Sequence, residues 1–275
     1  EGLPWDAVTP DDLDRYRDAL NERYARTTAN RHLSTIRSLY REGIRAGLIA
    51  IDPAADLRSV RGRDQRDGGV LSAEEAGRVL RGIRDDLRRP SRRLLARRDL
   101  ALVGLLIRTG IRRSEAEGLR VSDLGHLQGH HVLTVSGKGR VTRTVKLPPD
   151  LFGDIDAWLR AAARAGYEPG PADALLVGVR KGGHSLERRP LSKRSINDIV
   201  RRRLVAAGCP PLGPHALRAT FASLALAGGA SLYRIQRALG HADPRTTEVY
   251  LRKADSLDDH AVDYVRLDGR DSSAD

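Results

Sequence analysis

His215-Ala216-Leu217-Arg218, Leu239-Gly240-His241 and Thr246-Thr247-Glu248-Val249-Tyr250 bring two imidazoles, a guanidinium and a phenol into the single stretch 215–250. A helix from His215 to Ala227 would set His215 and Arg218 three residues apart on one face, where they can grip one anion. Gly228-Gly229 closes that helix, Ser231 to Leu239 reads as the next, and Asp243-Pro244 can cap and start a third that carries Tyr250. On one unbroken helix, the nine residues from His241 to Tyr250 would turn the two side chains to nearly opposite sides. A break at Asp243-Pro244 lets both face one pocket. Such a set of groups points to chemistry on a phosphate.

Charge supports that reading. The chain has 275 residues, a formal net charge of +12 and a pI near 10.5, so its expected partner is a polyanion, nucleic acid first. The length allows a sizeable core and two modest domains. No run of about 18 apolar residues and no charged-then-apolar leader is present, so membrane insertion and secretion are not expected and the cytoplasm is. Cys209 is the only cysteine, which rules out an internal disulfide and a thiolate zinc cluster. The eight histidines lack the close pairings of common zinc motifs, so neither metal nor cofactor is expected. A chain that starts at Glu1 and contains no methionine reads as a piece of a longer protein.

The pattern His-x-x-Arg, then Gly-His, then Tyr nine residues on resembles the tyrosine site-specific recombinases, the phage integrase family. That resemblance implies an earlier arginine and a lysine. Thr109-Gly110-Ile111-Arg112-Arg113-Ser114-Glu115 is similar to the family's first-arginine box, with Arg112 as the first catalytic arginine and Glu115 as the acidic residue that supports the site. Without the downstream motifs, the same residues would read as an ordinary surface pair worth about 0.3 kcal/mol.

Residues 131–136 and 141–147 are β-branched and alternating, and Gly137-Lys138-Gly139-Arg140 separates them, which predicts a hairpin with Lys138 in its turn. Lys138 is either a solvated turn residue or a proton donor. Lysine can release a proton where arginine essentially cannot, and this chain has 43 arginines against five lysines. Its position matches the family's catalytic hairpin lysine.

The predicted fold is mainly α with a small antiparallel β-sheet, in two domains. Thr9-Pro10-Asp11-Asp12 opens one amphipathic helix, and Thr28 to Ala46 forms a second with Leu33, Ile36, Tyr40 and Ile44 on one face. Residues 1–22 carry a net −5 and residues 23–66 a net +6, so contact with DNA should favour the later part, Arg31 and Arg37 included. By resemblance, residues 1–60 form the helical core-binding domain that clamps DNA and 70–268 a mixed α/β catalytic domain; 61–69, polar, basic and glycine-containing, reads as the linker between them, and 269–275, small and polar, as a disordered tail.

Within the catalytic domain, Ser72-Ala73-Glu74-Glu75 is a capping box and Arg98 to Thr109 should be the central buried helix. Pro148 to Ala165 reads as a helix, 166–183 as irregular with a short strand at Ala174 to Val177, and Ser192 to Ala207 as a basic helix. Lys193, Arg194 and Arg201 to Arg203 on that helix, with Arg140 on the hairpin, are candidate phosphate contacts. Ala261, Val262, Tyr264 and Val265 form an apolar patch. The patch packs on a neighbouring subunit, as the resemblance implies, or on its own domain.

The resemblance further implies a mechanism. Tyrosine titrates near pH 10, so about one in a thousand is phenolate at neutrality and the site must help it. Arg112, Arg218 and His241 would stabilise the scissile phosphate and Tyr250 would attack it, leaving a 3′-phosphotyrosyl link. Lys138 would protonate the leaving 5′-oxygen, and His215 would orient the phosphate or accept the phenol proton. The implied partners are double-stranded DNA and other recombinase subunits, a tetramer when synapsed on DNA and a monomer when free, with no membrane. One departure is visible: Ala219 stands directly after the second arginine, where relatives usually carry histidine. Three other readings use part of this pattern, namely type IB topoisomerase-like relaxation, a catalytically inactive DNA-binding regulator, and an ordinary helix-turn-helix protein. The last leaves Arg112 and Lys138 without a role.

Overall fold

The computed structural model describes residues 4–61, 69–137, 142–180, 182, 183 and 185–240. The chain divides into two compact units, Glu1–Asp67 and Gly68–Asp275.

In the first unit, α1 (Pro10–Arg23) and α2 (Arg26–Arg45) form a helical pair. The Thr9 hydroxyl accepts from the Asp12 amide, and the Asp12 carboxylate accepts from the Thr9 amide at 2.9 Å, which fixes the start of α1. Leu13, Leu20, Ala29, Leu33, Tyr40, Ala54 and Leu57 make the core. Ile44, predicted on the same face as Tyr40, is exposed, while the buried Tyr40 donates its hydroxyl to the Trp5 carbonyl at 3.0 Å and Gly43 is buried beside Trp5. Asn30 ties the exit segment to α2, its amide nitrogen donating to Val60 O at 3.1 Å and its oxygen accepting from Val60 N at 2.8 Å.

The second unit is built round α4 (Arg93–Thr109), buried on nearly every side over its second half. An apolar helix of this kind needs neighbours all round. It packs against α3 (Ala73–Asp86), α5 (Arg113–Gly118), α6 (Pro149–Arg164) and α8 (Pro214–Ala227). The Ser72–Glu75 capping box opens α3, as expected. Beside these helices lies a three-stranded antiparallel sheet in the order β1 (Leu124–Leu127), β2 (His130–Ser136), β3 (Thr142–Lys146), with Leu133 facing Leu124 on one side and Val145 on the other. The first of these strands was not expected from the sequence. A second small sheet pairs β4 (Val177–Val179) with β5 (Leu186–Pro190). Its first strand begins three residues later than predicted, and Ala174 instead forms an isolated bridge with Arg120. The basic helix is α7 (Lys193–Ala206), and α9 (Leu232–Leu239) follows α8.

Two polar groups lie at the centre of this unit. Asp99 and Arg98 are both buried on α4, and Asp99 accepts from Arg98 at 2.6 Å, from Arg203 at 2.7 Å and from Arg202 at 3.3 Å. Arg203 also donates to Asp86 at 2.5 Å, so one ionic network joins α3, α4 and α7. Arg203 is therefore not a phosphate contact. It lies seven residues after Ile196, on the inward stripe of α7, and only 10% of its side chain is exposed.

Candidate active site

Two glycines shape the approach to the site. Gly110 ends α4 in the left-handed region at φ +63, where a Cβ would stand 2.5 Å from the Phe221 ring and 2.7 Å from Leu239. The sharp turn lets Arg112 become the N-cap of α5, with its side chain 40% exposed. Gly240 ends α9 the same way, at φ +64. Its carbonyl faces the Arg112 guanidinium at 3.4 Å, so the chain leaves the last described residue beside that arginine.

Glu115 closes the first turn of α5. Its carboxylate accepts from the Arg112 amide at 2.6 Å and from Arg112 Nη1 at 2.9 Å, and only 3% of the side chain is exposed. Burial alone would raise its pKa. The hydrogen bonds and charge of Arg143, with the donors of Arg112, outweigh burial and hold the carboxyl at about 2. Glu115 is thus ionised whenever the protein is folded near neutrality.

Arg218 is buried on the inner face of α8. Nη1 donates to Gly110 O at 2.6 Å and Nη2 to Leu239 O at 2.7 Å, so the carbonyls that end α4 and α9 both fix its guanidinium. His215 stands one turn earlier on α8, at the surface. Partial loss of hydration round the ring, then the charges of Arg218 and Arg112, push its pKa below 6.5 and keep the imidazole neutral at pH 7. Ala219 is buried directly after Arg218.

The structure therefore brings Arg112, Glu115, His215 and Arg218 to one place from α5 and α8. Lys138, Arg140, His241 and Tyr250 lie outside the described residues. A fifth member was missed in the sequence. Arg143 on β3 donates from Nη1 and Nη2 to the two Glu115 oxygens, each at 2.8 Å, and from Nε to the Ala238 carbonyl at 2.9 Å. A signal for it existed: strand alternation puts Arg143 on the same face as buried Val145, where a cation needs an anion.

The candidate DNA contacts fall into different environments. Arg31 is exposed on α2, whereas Arg37 donates to the Leu57 carbonyl at 2.6 and 3.0 Å and to the Ser59 hydroxyl at 3.2 Å. At the start of α7, Arg194 is 93% exposed and pairs loosely with Asp198, while the Lys193 ammonium lies 3.6 Å from Glu117. Among the described residues no cluster of three or more His, Cys, Asp or Glu could hold a metal ion, and no helix is long and apolar enough to cross a membrane.

Comparison with known proteins gives this geometry a lineage. The Phage integrase family model matches residues 79–256, and the Phage integrase, N-terminal SAM-like domain model matches residues 1–47. Tyrosine recombinase XerC of Mycobacterium tuberculosis is 36% identical over 231 residues, 84% of this chain and 74% of its own. Tyrosine recombinase XerC of Lactobacillus delbrueckii subsp. bulgaricus is 32% identical over 251 residues, covering 90% and 80% of the two chains. Among solved structures, XerA recombinase is 25% identical with a TM-score of 0.55, over 92% of this chain and 83% of that one. XerH site-specific recombinase bound to palindromic difH substrate shares the fold at a TM-score of 0.71, with 20% identity over 90% and 70% of the two chains. With a family model spanning more than half of its residues and relatives 36% and 32% identical over most of its length, the chain belongs to the phage integrase family and is a tyrosine site-specific recombinase.

Proposed function

We propose that Arg112 and Arg218 hold the scissile phosphate of double-stranded DNA while Tyr250 attacks it. The observation that carries this reading is the meeting of two guanidiniums and a neutral imidazole, His215, at one place to which α4, α5, α8 and α9 all contribute. Negative charge concentrates on the non-bridging oxygens as the phosphorus becomes five-coordinate, and two fixed cations stabilise that state more than the ground state. The Tyr250 oxygen forms the new bond to phosphorus and the bond to the 5′-oxygen breaks. Lys138 gives that oxygen its proton, and neutral His215 accepts the proton of the phenol. The phosphodiester is conserved as a 3′-phosphotyrosyl link, which a second 5′-hydroxyl reopens, so exchange of hydroxyls between duplexes is recombination. His241 adds a hydrogen bond to the same phosphate, and Glu115 holds Arg112.

The partner is a polyanion by charge, and solved structures that share the fold include a lambda integrase dimer bound to a COC' core site and a lambda integrase tetramer bound to a Holliday junction. By that likeness we assign residues 1–60 to clamping DNA, 61–69 to a linker, 70–268 to catalysis and 269–275 to a tail, with further copies of the chain as partners in synapsis. Arg31, Arg140, Lys193 and Arg194 are phosphate contacts in this reading. Arg37 joins them only by releasing Leu57. DNA in the cytoplasm is the substrate.

Nicked duplexes that lose the leaving strand after cleavage test the reading. The wild-type chain should trap a covalent adduct through Tyr250, and sequencing the trapped DNA would identify the site. Tyr250→Phe should trap none. An adduct that persists in Tyr250→Phe would refute the assignment.

A further inference from the structure

Three separate segments meet on one side chain that has no role so far. Arg143 projects from β3, gives parallel hydrogen bonds to both oxygens of Glu115, and donates to the carbonyl of Ala238 in the last turn of α9. Its stem lies along Gly240, where a Cβ would come within 3.0 Å of Arg143 Cδ. The side chain is 14% exposed and its guanidinium bonds to Glu115 and Ala238, which sets it apart from the 40% exposed Arg112.

We propose that Arg143 is a positioning residue of the strand-cleavage site, fixing the Arg112 guanidinium through Glu115 and through the end of α9. The inference rests on the reading of Arg112 as a ligand of the scissile phosphate. Glu115 has two oxygens and accepts from both arginines, with the bidentate share going to Arg143 and a single side-chain bond to Arg112. Because Arg143 supplies most of the countercharge, Arg112 stays partly exposed and turned toward Gly240 O.

Remove Arg143, and a carboxylate that has lost its water draws Arg112 into a closer two-point pair, away from an incoming phosphate. The Ala238 carbonyl loses its donor in the same step, and the turn at Gly240 that faces Arg112 loosens. Lysine cannot replace this function fully. An ammonium has no planar fork to span two carboxylate oxygens while also reaching a third acceptor.

The test uses the full chain and a nicked duplex of the sequence that the wild type traps covalently. Two quantities are measured apart: DNA affinity, and the rate of adduct formation at saturating DNA in a single turnover. Arg143→Gln should slow adduct formation about 10- to 100-fold, the scale of a misplacement of roughly 1 Å, and change affinity less than about threefold. Arg143→Lys should fall between it and the wild type. A Gln variant within about threefold of the wild-type rate overturns the proposal. So does a fall in affinity that accounts for the whole loss, since Arg143 would then be a DNA contact. Should the Gln variant fail to fold, the Lys variant, which keeps a positive charge beside Glu115, carries the test, and a wild-type rate there overturns it. If the wild type itself traps no duplex, the reading of the site fails and the role of Arg143 falls with it, a result seen before any variant is compared.

Discussion

His215 loses part of its hydration and faces the charges of Arg218 and Arg112, and all three effects disfavour a second ring proton. A depressed pKa means that the neutral, proton-accepting form persists as pH falls. The cleavage rate should therefore hold from neutrality through pH 6.5 and decline only below it, measured as single-turnover adduct formation against pH. His215→Gln should abolish that limb along with most of the rate. A limb centred above 6.5 would mean that another group titrates there. At this scale the sequence was legible wherever a motif of fixed spacing named the residue, as for Arg112, Glu115, His215 and Arg218. For Arg143, strand alternation could indicate an inward face but not its partner, because Glu115 lies 28 residues away and only folding brings them together.

The elements show a similar division. Helices α3, α4, α7 and α8 follow their caps and apolar stripes, since period and punctuation are local properties. The strand β1 did not, because Leu124-Gly125-His126-Leu127 has little intrinsic strand preference. It is held by pairing with β2 across Gln128-Gly129, both at positive φ, a turn that Gln-Gly announces more weakly than Asn-Gly. Asp99 shows what an apolar-looking helix can conceal. It is fully buried, and removing its charge takes the counterion from buried Arg98 and leaves Arg203 with Asp86 alone. Asp99→Asn should cost about 3–5 kcal/mol of stability, read as a fall in the denaturant midpoint at unchanged slope. A cost under about 1 kcal/mol would show that α3, α4 and α7 are held by apolar packing alone.

At the scale of the molecule, a net charge of +12 favours a polyanion, and the number of phosphates that its cations neutralise sets the dependence of DNA binding on salt. If six to ten phosphates are neutralised, affinity should fall by roughly 10³–10⁵ between 50 and 200 mM salt, measured with duplexes of captured sequence. A loss of less than about tenfold would show that few of the exposed arginines touch the backbone. The sequence by itself determined the mainly helical class and the family, because caps, periodicity and spaced motifs depend on neighbours along the chain. Only the tertiary structure decided which arginines do which work. Arg203 and Arg143 turn inward to the buried carboxylates Asp99 and Glu115, Arg37 caps a carbonyl, and Arg112 stays partly exposed. With 43 chemically identical side chains, composition cannot tell them apart. What separates them is the low-dielectric interior, which requires every buried carboxylate to have a cation and leaves the remaining arginines at the surface.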